Sequence, residues 1–337
     1  MAAVLQTQAP ALTVARLPAH ARTHLAEGLL GALAYGEVAG CDSVRARVLS
    51  GDGPQVDVWT SAGPVIEGRS GRVRWRRNER WLFGAVELDE AREGCGLAEL
   101  ARMAYRDIFA TLRETDCAHL QRLWNYLPGI NADGGGLERY RQFNSGRQIA
   151  FLDAGYAAFE GAPAACAIGT RSGPFCVRFL AGTVPPLPVE NPRQVSAYHY
   201  PSAYGPRSPT FSRAALVQPA EGQVALLISG TASIVGHASV HIGDVVAQTR
   251  ETLTNLHAVI DAAHAKTSAR FPLAEMDCTI YVRHAEDAPL IREVFDAAVG
   301  PTSRAARSAV VLEADICRSD LLVEIEGHGF ASGELRR

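Results

Sequence analysis

Glu324 and Glu326, two residues apart in ICRSDLLVEIEG near the end of the chain, are candidates for moving a proton. On a strand they share one face, and Val323 and Ile325 take the other. Either the glutamates look to solvent from a half-buried strand, or their face lines a pocket. In a pocket, apolar walls disfavour the charged form and leave a glutamate able to donate a proton near neutral pH. Cys317 stands just ahead of the same strand.

Groups that could hold an anion gather elsewhere. Residues 198–214, YHYPSAYGPRSPTFSRA, carry Tyr198, Tyr200, Tyr204, Arg207 and Arg213 among three prolines and one glycine. Such a loop either presents pre-aimed guanidinium groups for bidentate carboxylate capture or is an arginine-bearing surface loop. LERYRQFNSGR, 137–147, reads as a helix ending near Gly146, with Tyr140 on the inward stripe and Arg139 and Arg141 pointing elsewhere. Arg147, just past that glycine, aims back at the helix's carbonyl end or serves a ligand. In LLISGTASIVGH, 226–237, Gly230, Thr231 and their small neighbours end an apolar strand, as a turn or bulge or as a place where a ligand meets the backbone. Arg283 closes the strand CTIYVRH, where an inward guanidinium needs an anion and an outward one is merely solvated.

The elements that must position these groups fall into two similar series. VDVWTSA, GRVRWRR and RWLFGAVEL read as strands over 55–90, and the helix 96–115 follows, with Leu97, Leu100, Ala104, Ile108 and Leu112 on one stripe. CAHLQRLWNYL is a strand, the Gly-rich loop 129–136 leads to the helix at LERYRQF, and ACAIGTRSG and FCVRFLAG close the series. From about 191 the order recurs. QVSAYHY, SRAALVQ and QVALLISGTAS are strands, DVVAQTRETLTNLHAVIDAAHAK a helix, CTIYVRH a strand, APLIREVFDAAV a helix, and ARSAVVLEA with DLLVEIEG a closing pair. The pattern predicts an α/β (α+β) chain that is duplicated in structure, with a leader and first elements over 1–54 and domains over 55–190 and 191–337.

At 337 residues and 47% hydrophobic, the chain can bury a large core. A formal net charge of -3, from 33 Lys plus Arg against 36 Asp plus Glu, gives no global field for nucleic acid or anionic lipid. Only Lys266 is lysine; every other basic side chain is arginine. The seven cysteines, Cys41 among them, are odd in number and form no CxxC pair, which argues against zinc and disulfide frameworks. No HExxH, GxSxG, GxGxxG or GxxxxGK[ST] occurs, and His237 with His241 lacks an obvious carboxylate partner, so no metal site or nucleotide is expected. There is no run of eighteen apolar residues and no basic-then-apolar leader, so the expected location is the cytoplasm.

Taken together, RLWNYLPGIN (122–131), LERYRQFNSGR, YPSAYGPRSPTFSRA (200–214), LLISGTASIVGH and YVRHAED (281–287) resemble the chorismatase family, from about residue 55 to the C-terminus. The second half also resembles a RidA-type (YjgF) domain, and the resemblance implies two such domains, each a mixed sheet with two packed helices. It implies a substrate, chorismate, with two carboxylates, a hydroxyl and an enol ether, and a proton source in place of a cofactor. Glu324 would be the catalytic acid. Arg147, Arg207, Arg213 and Arg283, with Tyr140, Tyr204 and Thr231, would hold the substrate. Gly230 and Cys317 resemble members that form 3-hydroxybenzoate, with or without 4-hydroxybenzoate; members that hydrolyse chorismate to a dihydroxycyclohexadiene acid carry alanine at the glycine position and lack the cysteine. Cys317 would act as proton carrier or nucleophile. Rival readings are a RidA-like protein that binds a carboxylate without catalysis and an imine-hydrolysing deaminase. A duplicated chain can satisfy its own interfaces, so a monomer is expected, with a trimer the alternative.

Overall fold

The computed structural model describes residues 11–19, 27–36, 38, 43–50 and 53–336; Cys41 and much of the expected leader lie outside the described residues. The described parts of that leader are strands: β1 (Leu12–Pro18), β2 (Leu29–Tyr35), β3 (Ser43–Val44) and β4 (Arg47–Val48). The strand expected at VDVWTSA, β5 (Gln55–Ser61), joins the first three in a sheet of order β1-β5-β2-β3, while β4 pairs elsewhere. A buried polar knot fixes this choice. Asp57 of β5 pairs with Arg16 of β1 at 2.7 Å and accepts the Tyr35 hydroxyl of β2 at 2.7 Å.

The first repeated unit comprises β6 (Ile66–Ser70), β7 (Val73–Arg77), β8 (Trp81–Leu88), a one-turn α1 (Glu90–Glu93), α2 (Leu97–Glu114), β9 (His119–Pro128), α3 (Arg139–Asp153), β10 (Ala164–Thr170) and β11 (Phe175–Gly182). Its sheet order is β10-β9-β11-β8-β7-β6, with β10 parallel to β9 and β11 antiparallel between β9 and β8. The second comprises β12 (Leu187–Val189), β13 (Ala214–Ala220), β14 (Gln223–Ala232), the small hairpin β15 (Ile234–Val235) and β16 (Ala238–Ser239), α4 (Val245–Ala265), β17 (Asp277–Val282), α5 (Ala288–Val299), α6 (Arg304–Ser308), β18 (Val310–Glu313) and β19 (Val323–Ser332). Its sheet order is β12-β13-β14-β19-β17-β18-β4, with β18 parallel to β17 and β19 antiparallel between β14 and β17. Apart from the short α1 and α6, the β15–β16 hairpin and the added β4, the two mixed sheets have one connectivity, so the α+β duplication expected from pattern is present in the topology.

Amphipathic faces explain the layers. The apolar stripe of α2, completed by Tyr105 and Phe109, packs with α3 on one face of the first sheet. Asp244 caps α4 through a 2.9 Å bond from the Ala247 amide, and Leu253, Leu256, Val259 and Ile260 bury against the second sheet beside α5. The opposite faces of the two sheets meet each other and the β1–β5 sheet in a third core, which contains Trp59, Trp124, Tyr126, Tyr281 and Leu312. No helix among the described residues is long and apolar enough to cross a membrane.

Three expectations need correction. The helix expected to end near Gly146 continues to Asp153, because the missing side chain is an interhelical contact and not a stop signal: a Cβ there would overlap the Ala98 carbonyl of α2. QVSAYHY is not a strand. It carries a single turn at Ala197–His199 between Pro192 and Pro201, which break strand pairing. The expected closing pair, β18 and β19, do not pair with each other, since β19 is inserted between β14 and β17.

Gly146→Ala should therefore force α2 and α3 apart and lower stability by about 1–3 kcal/mol, the usual cost of overpacking. Thermal melting measures it; an unchanged melting temperature would show that the helices separate freely.

Candidate active site

Strand alternation decides where the two glutamates point. Val323 and Ile325 of β19 enter the core against α4 and α5, and Glu324 and Glu326 face the first repeat, which covers them. Both are buried, so they are not the solvent-facing pair of a half-exposed strand. Glu326 is ion-paired with Arg122 of β9, and its other oxygen accepts the Tyr281 hydroxyl at 2.9 Å. Glu324 differs. Among the described residues it makes no hydrogen bond or ion pair, and burial first, then the nearby Glu326, push its carboxyl up to about 8, against the pull of Arg122, Arg213 and Arg283.

Glu324 opens on a cavity of about 390 Å3 at the junction of the repeats. Gly230 forms part of the wall beside it. β14 has a register shift between Ile228 and Thr231, and this bulge brings the Gly230 backbone against the carboxyl. A Cβ on Gly230 would overlap Oε1 of Glu324, so only glycine fits while Glu324 keeps this position. Thr231 does not line the cavity; its hydroxyl donates to the Ser229 carbonyl at 3.0 Å.

Cys317 and Tyr140 line the cavity too. Burial, then Glu324, push the Cys317 thiol up to about 12, and burial likewise raises the Tyr140 phenol, followed by Cys317. Both groups therefore keep their protons at neutral pH. Arg213 donates to the Val195 carbonyl at 2.9 Å and to the Tyr200 hydroxyl at 2.8 Å, and its Nε is buried without a protein partner. Tyr204 lines the opposite side and shares a 3.1 Å hydrogen bond with Nδ1 of His237.

Sequence reasoning missed Arg318. Its guanidinium lies 4.1 Å from the Tyr204 ring centre and 5.1 Å from that of Tyr200, it donates to the His237 carbonyl at 2.9 Å, and its Nη2 is buried without a protein partner. The only signal was its place directly after Cys317; the stacking on two tyrosines of a distant loop left none. Arg141, expected to point elsewhere, lines the cavity and pairs with Glu138 at 3.2 Å.

Three expected arginines do not line the cavity. Arg147 sits inside α3, buried, with its guanidinium 4.6 Å from the Phe143 ring and bonded to Asn144 Oδ1 at 3.1 Å. Arg207 donates to Gln148 Oε1 at 3.1 Å. Arg283 points inward, and the anion it needs is supplied by the protein itself. Its donors go to the carbonyls of Leu321, Ile316 and Arg318, to Asn131, and to Asp315 at 2.6 Å, which ties down the loop carrying Cys317 and Arg318.

A buried acid that retains its proton, a phenol and a thiol that do the same, and two arginines with buried unused donors are groups that can donate a proton and hold a carboxylate. The family model described as chorismatase FkbO/Hyg5-like, N-terminal, matches residues 57–181. A chorismatase of Streptomyces hygroscopicus is 39% identical over 278 residues, 80% of this chain and 78% of that one. A 3-hydroxybenzoate synthase of the same organism is 37% identical over 285 residues, 81% of each. A crystal structure of a chorismatase superposes with a TM-score of 0.81 at 32% identity, covering 95% of this chain and 98% of that one. The chain belongs to the chorismatase family.

The Glu324 carboxyl has a consequence for stability. A carboxyl raised from 4.5 to about 8 binds its proton more tightly in the folded state, so stability falls as pH rises through that window. At about 1.4 kcal/mol per unit, the fall amounts to a few kcal/mol at most. Glu324→Gln should flatten it. Melting curves of both proteins from about pH 5 to about pH 9 test this, and parallel pH dependences would mean that folded Glu324 titrates in the ordinary carboxylate range.

Proposed function

We propose that the protein releases pyruvate from chorismate and turns the ring into 3-hydroxybenzoate, with or without 4-hydroxybenzoate. The observation that carries this is the environment of Glu324: buried, unpaired, raised to about 8, and open to a cavity that also holds Arg213 and Arg318. An enol ether is a weak base, and protonating its methylene carbon requires an acid that is still protonated at neutral pH. Glu324 meets that requirement. Delivery of its proton makes an oxocarbenium-like carbon; the ring carbon–oxygen bond then breaks, the ether oxygen leaves as the keto oxygen of pyruvate, and the ring is left cationic until it loses a proton. The unused donors of Arg213 and Arg318 take the two carboxylates, and the Tyr140 and Tyr204 hydroxyls orient the ring. Arg147, Arg207 and Arg283 act from behind the wall.

Aromatisation consumes no water overall, and the ring proton it releases balances the one delivered, so the acid is regenerated. Hydrolysis to a dihydroxycyclohexadiene acid takes up a water. Gly230 and Cys317 favour aromatisation. The thiol is protonated and borders Glu324, which supports a proton carrier more than a nucleophile. The 3-hydroxybenzoate synthase among the relatives supports the same product. In this reading the protein needs no metal or nucleotide and works in the cytoplasm as a monomer, in which domains 55–190 and 191–337 cover each other's faces.

Incubating the purified protein with chorismate and assaying pyruvate tests the reaction; no release would leave a carboxylate-binding protein. Glu324→Gln should lower release by about 10²–10⁴-fold with the fold intact. Gly230→Ala puts a methyl group where the Glu324 oxygen lies and should also reduce turnover. Chromatography of the aromatic products should separate wild type from Cys317→Ala. Identical profiles would remove Cys317 from the product choice.

A further inference from the structure

Glu326 takes no part in the chemistry above, yet it is as buried as Glu324 and far more firmly held. Its side chain is 4% exposed and that of Arg122 is 3%. The pair spans the molecule, since Arg122 belongs to β9 of the first repeat and Glu326 to β19 of the second. Tyr281 of β17 donates the third contact at 2.9 Å, and the Tyr126 hydroxyl of β9 lies 3.4 Å from the Tyr281 hydroxyl. Across the β17–β19 register Tyr281 stands opposite Glu324 itself. For stability alone such a buried pair has little to offer, because apolar residues of the same volume do as well or better. Its position, one strand repeat from Glu324 on the same face, points to another use.

We propose that Glu326 is a positioning residue for the acid: pinned by Arg122 and Tyr281 as a fixed negative neighbour, it makes a second charge at Glu324 unfavourable and keeps the proton there until substrate takes it. The proposal rests on reading Glu324 as the acid. The groups that face Glu324 make the need plain. Arg122 of β9, Arg213 ahead of β13 and Arg283 beyond β17 are cations, and all three draw its proton off. Cys166 of β10, Cys317, Tyr140 of α3 and Tyr281 are groups whose burial keeps them protonated and neutral. Glu326 is thus the opposing charge. Burial and Glu326 together outweigh the three arginines.

Glu326→Gln tests this with the least disturbance, because the amide keeps the shape and an acceptor for Tyr281. The Glu324 carboxyl is followed by carbon-13 NMR of carboxyl-labelled glutamate, assigned by its loss in Glu324→Gln, and in parallel by the pH profile of kcat/KM for pyruvate release. In Glu326→Gln the midpoint and the high-pH limb of activity should both move down by about one unit or more. The double variant Arg122→Gln/Glu326→Gln leaves neither buried charge behind and covers the case in which the single variant does not fold. With one cation also gone, its midpoint should lie below that of wild type and above that of Glu326→Gln. A purely structural Glu326 would lower stability and kcat without moving the midpoint, and a midpoint unchanged in both variants overturns the proposal. The NMR midpoint reads the carboxyl even in a protein that leaves chorismate untouched, so failure of the reaction and failure of the charge effect are told apart.

Discussion

A carboxyl group buried without a partner survives folding only by keeping its proton, and the construction around Glu324 follows from that constraint. Alternation along β19 turns the side chain away from α4 and α5, and the first repeat closes over it. The β14 bulge then brings backbone, without any side chain, to the edge of the carboxyl at Gly230. A second glutamate two residues along is charge-compensated by Arg122, which leaves Glu324 as the uncompensated member. Two carboxyls on one face of one strand are thus driven apart in behaviour by what each touches.

The duplication explains why the two repeats differ at this face. In the first repeat, β6 and β7 are joined by the tight turn at Gly71 and Arg72. The equivalent connection in the second, between β12 and β13, is the long segment 190–213, which carries Tyr200, Tyr204 and Arg213 over the cavity. The counterpart of β19 is β11, where the buried Arg178 is ion-paired with Glu87. One connectivity therefore gives a covering sheet in one half and, in the other, a strand whose Glu324 opens on a roofed cavity.

How much of this was legible depends on whether the signal is local. The stripe of α2, the apolar run of β14 and the alternation in DLLVEIEG each lie within one element, and pattern reads them. The end of α3 was misread because Gly146 looks like a stop signal until Ala98 is known to press against it. The solvent-or-pocket choice for Glu324 was open for the same reason: alternation gives the face, but what covers that face is a sheet some two hundred residues earlier. Arginines were the hardest. Arg318 and Arg141 at the cavity and Arg147, Arg207 and Arg283 behind it are alike in sequence, and only their partners distinguish them.

Those partners show why arginine suits both tasks. Arg283 spends its planar fork on the loop 315–321 and so fixes Cys317 and Arg318, a clamp that a lysine's single ammonium could not make in so many directions at once. Arg213 and Arg318 use part of the same fork on carbonyls and tyrosine faces and keep one buried donor each unspent. A guanidinium held by protein on one side and short of an acceptor on the other is already aimed, so an incoming carboxylate need not order it. Of these two arginines, Arg213 draws on the Glu324 proton, and burial together with Glu326 opposes it.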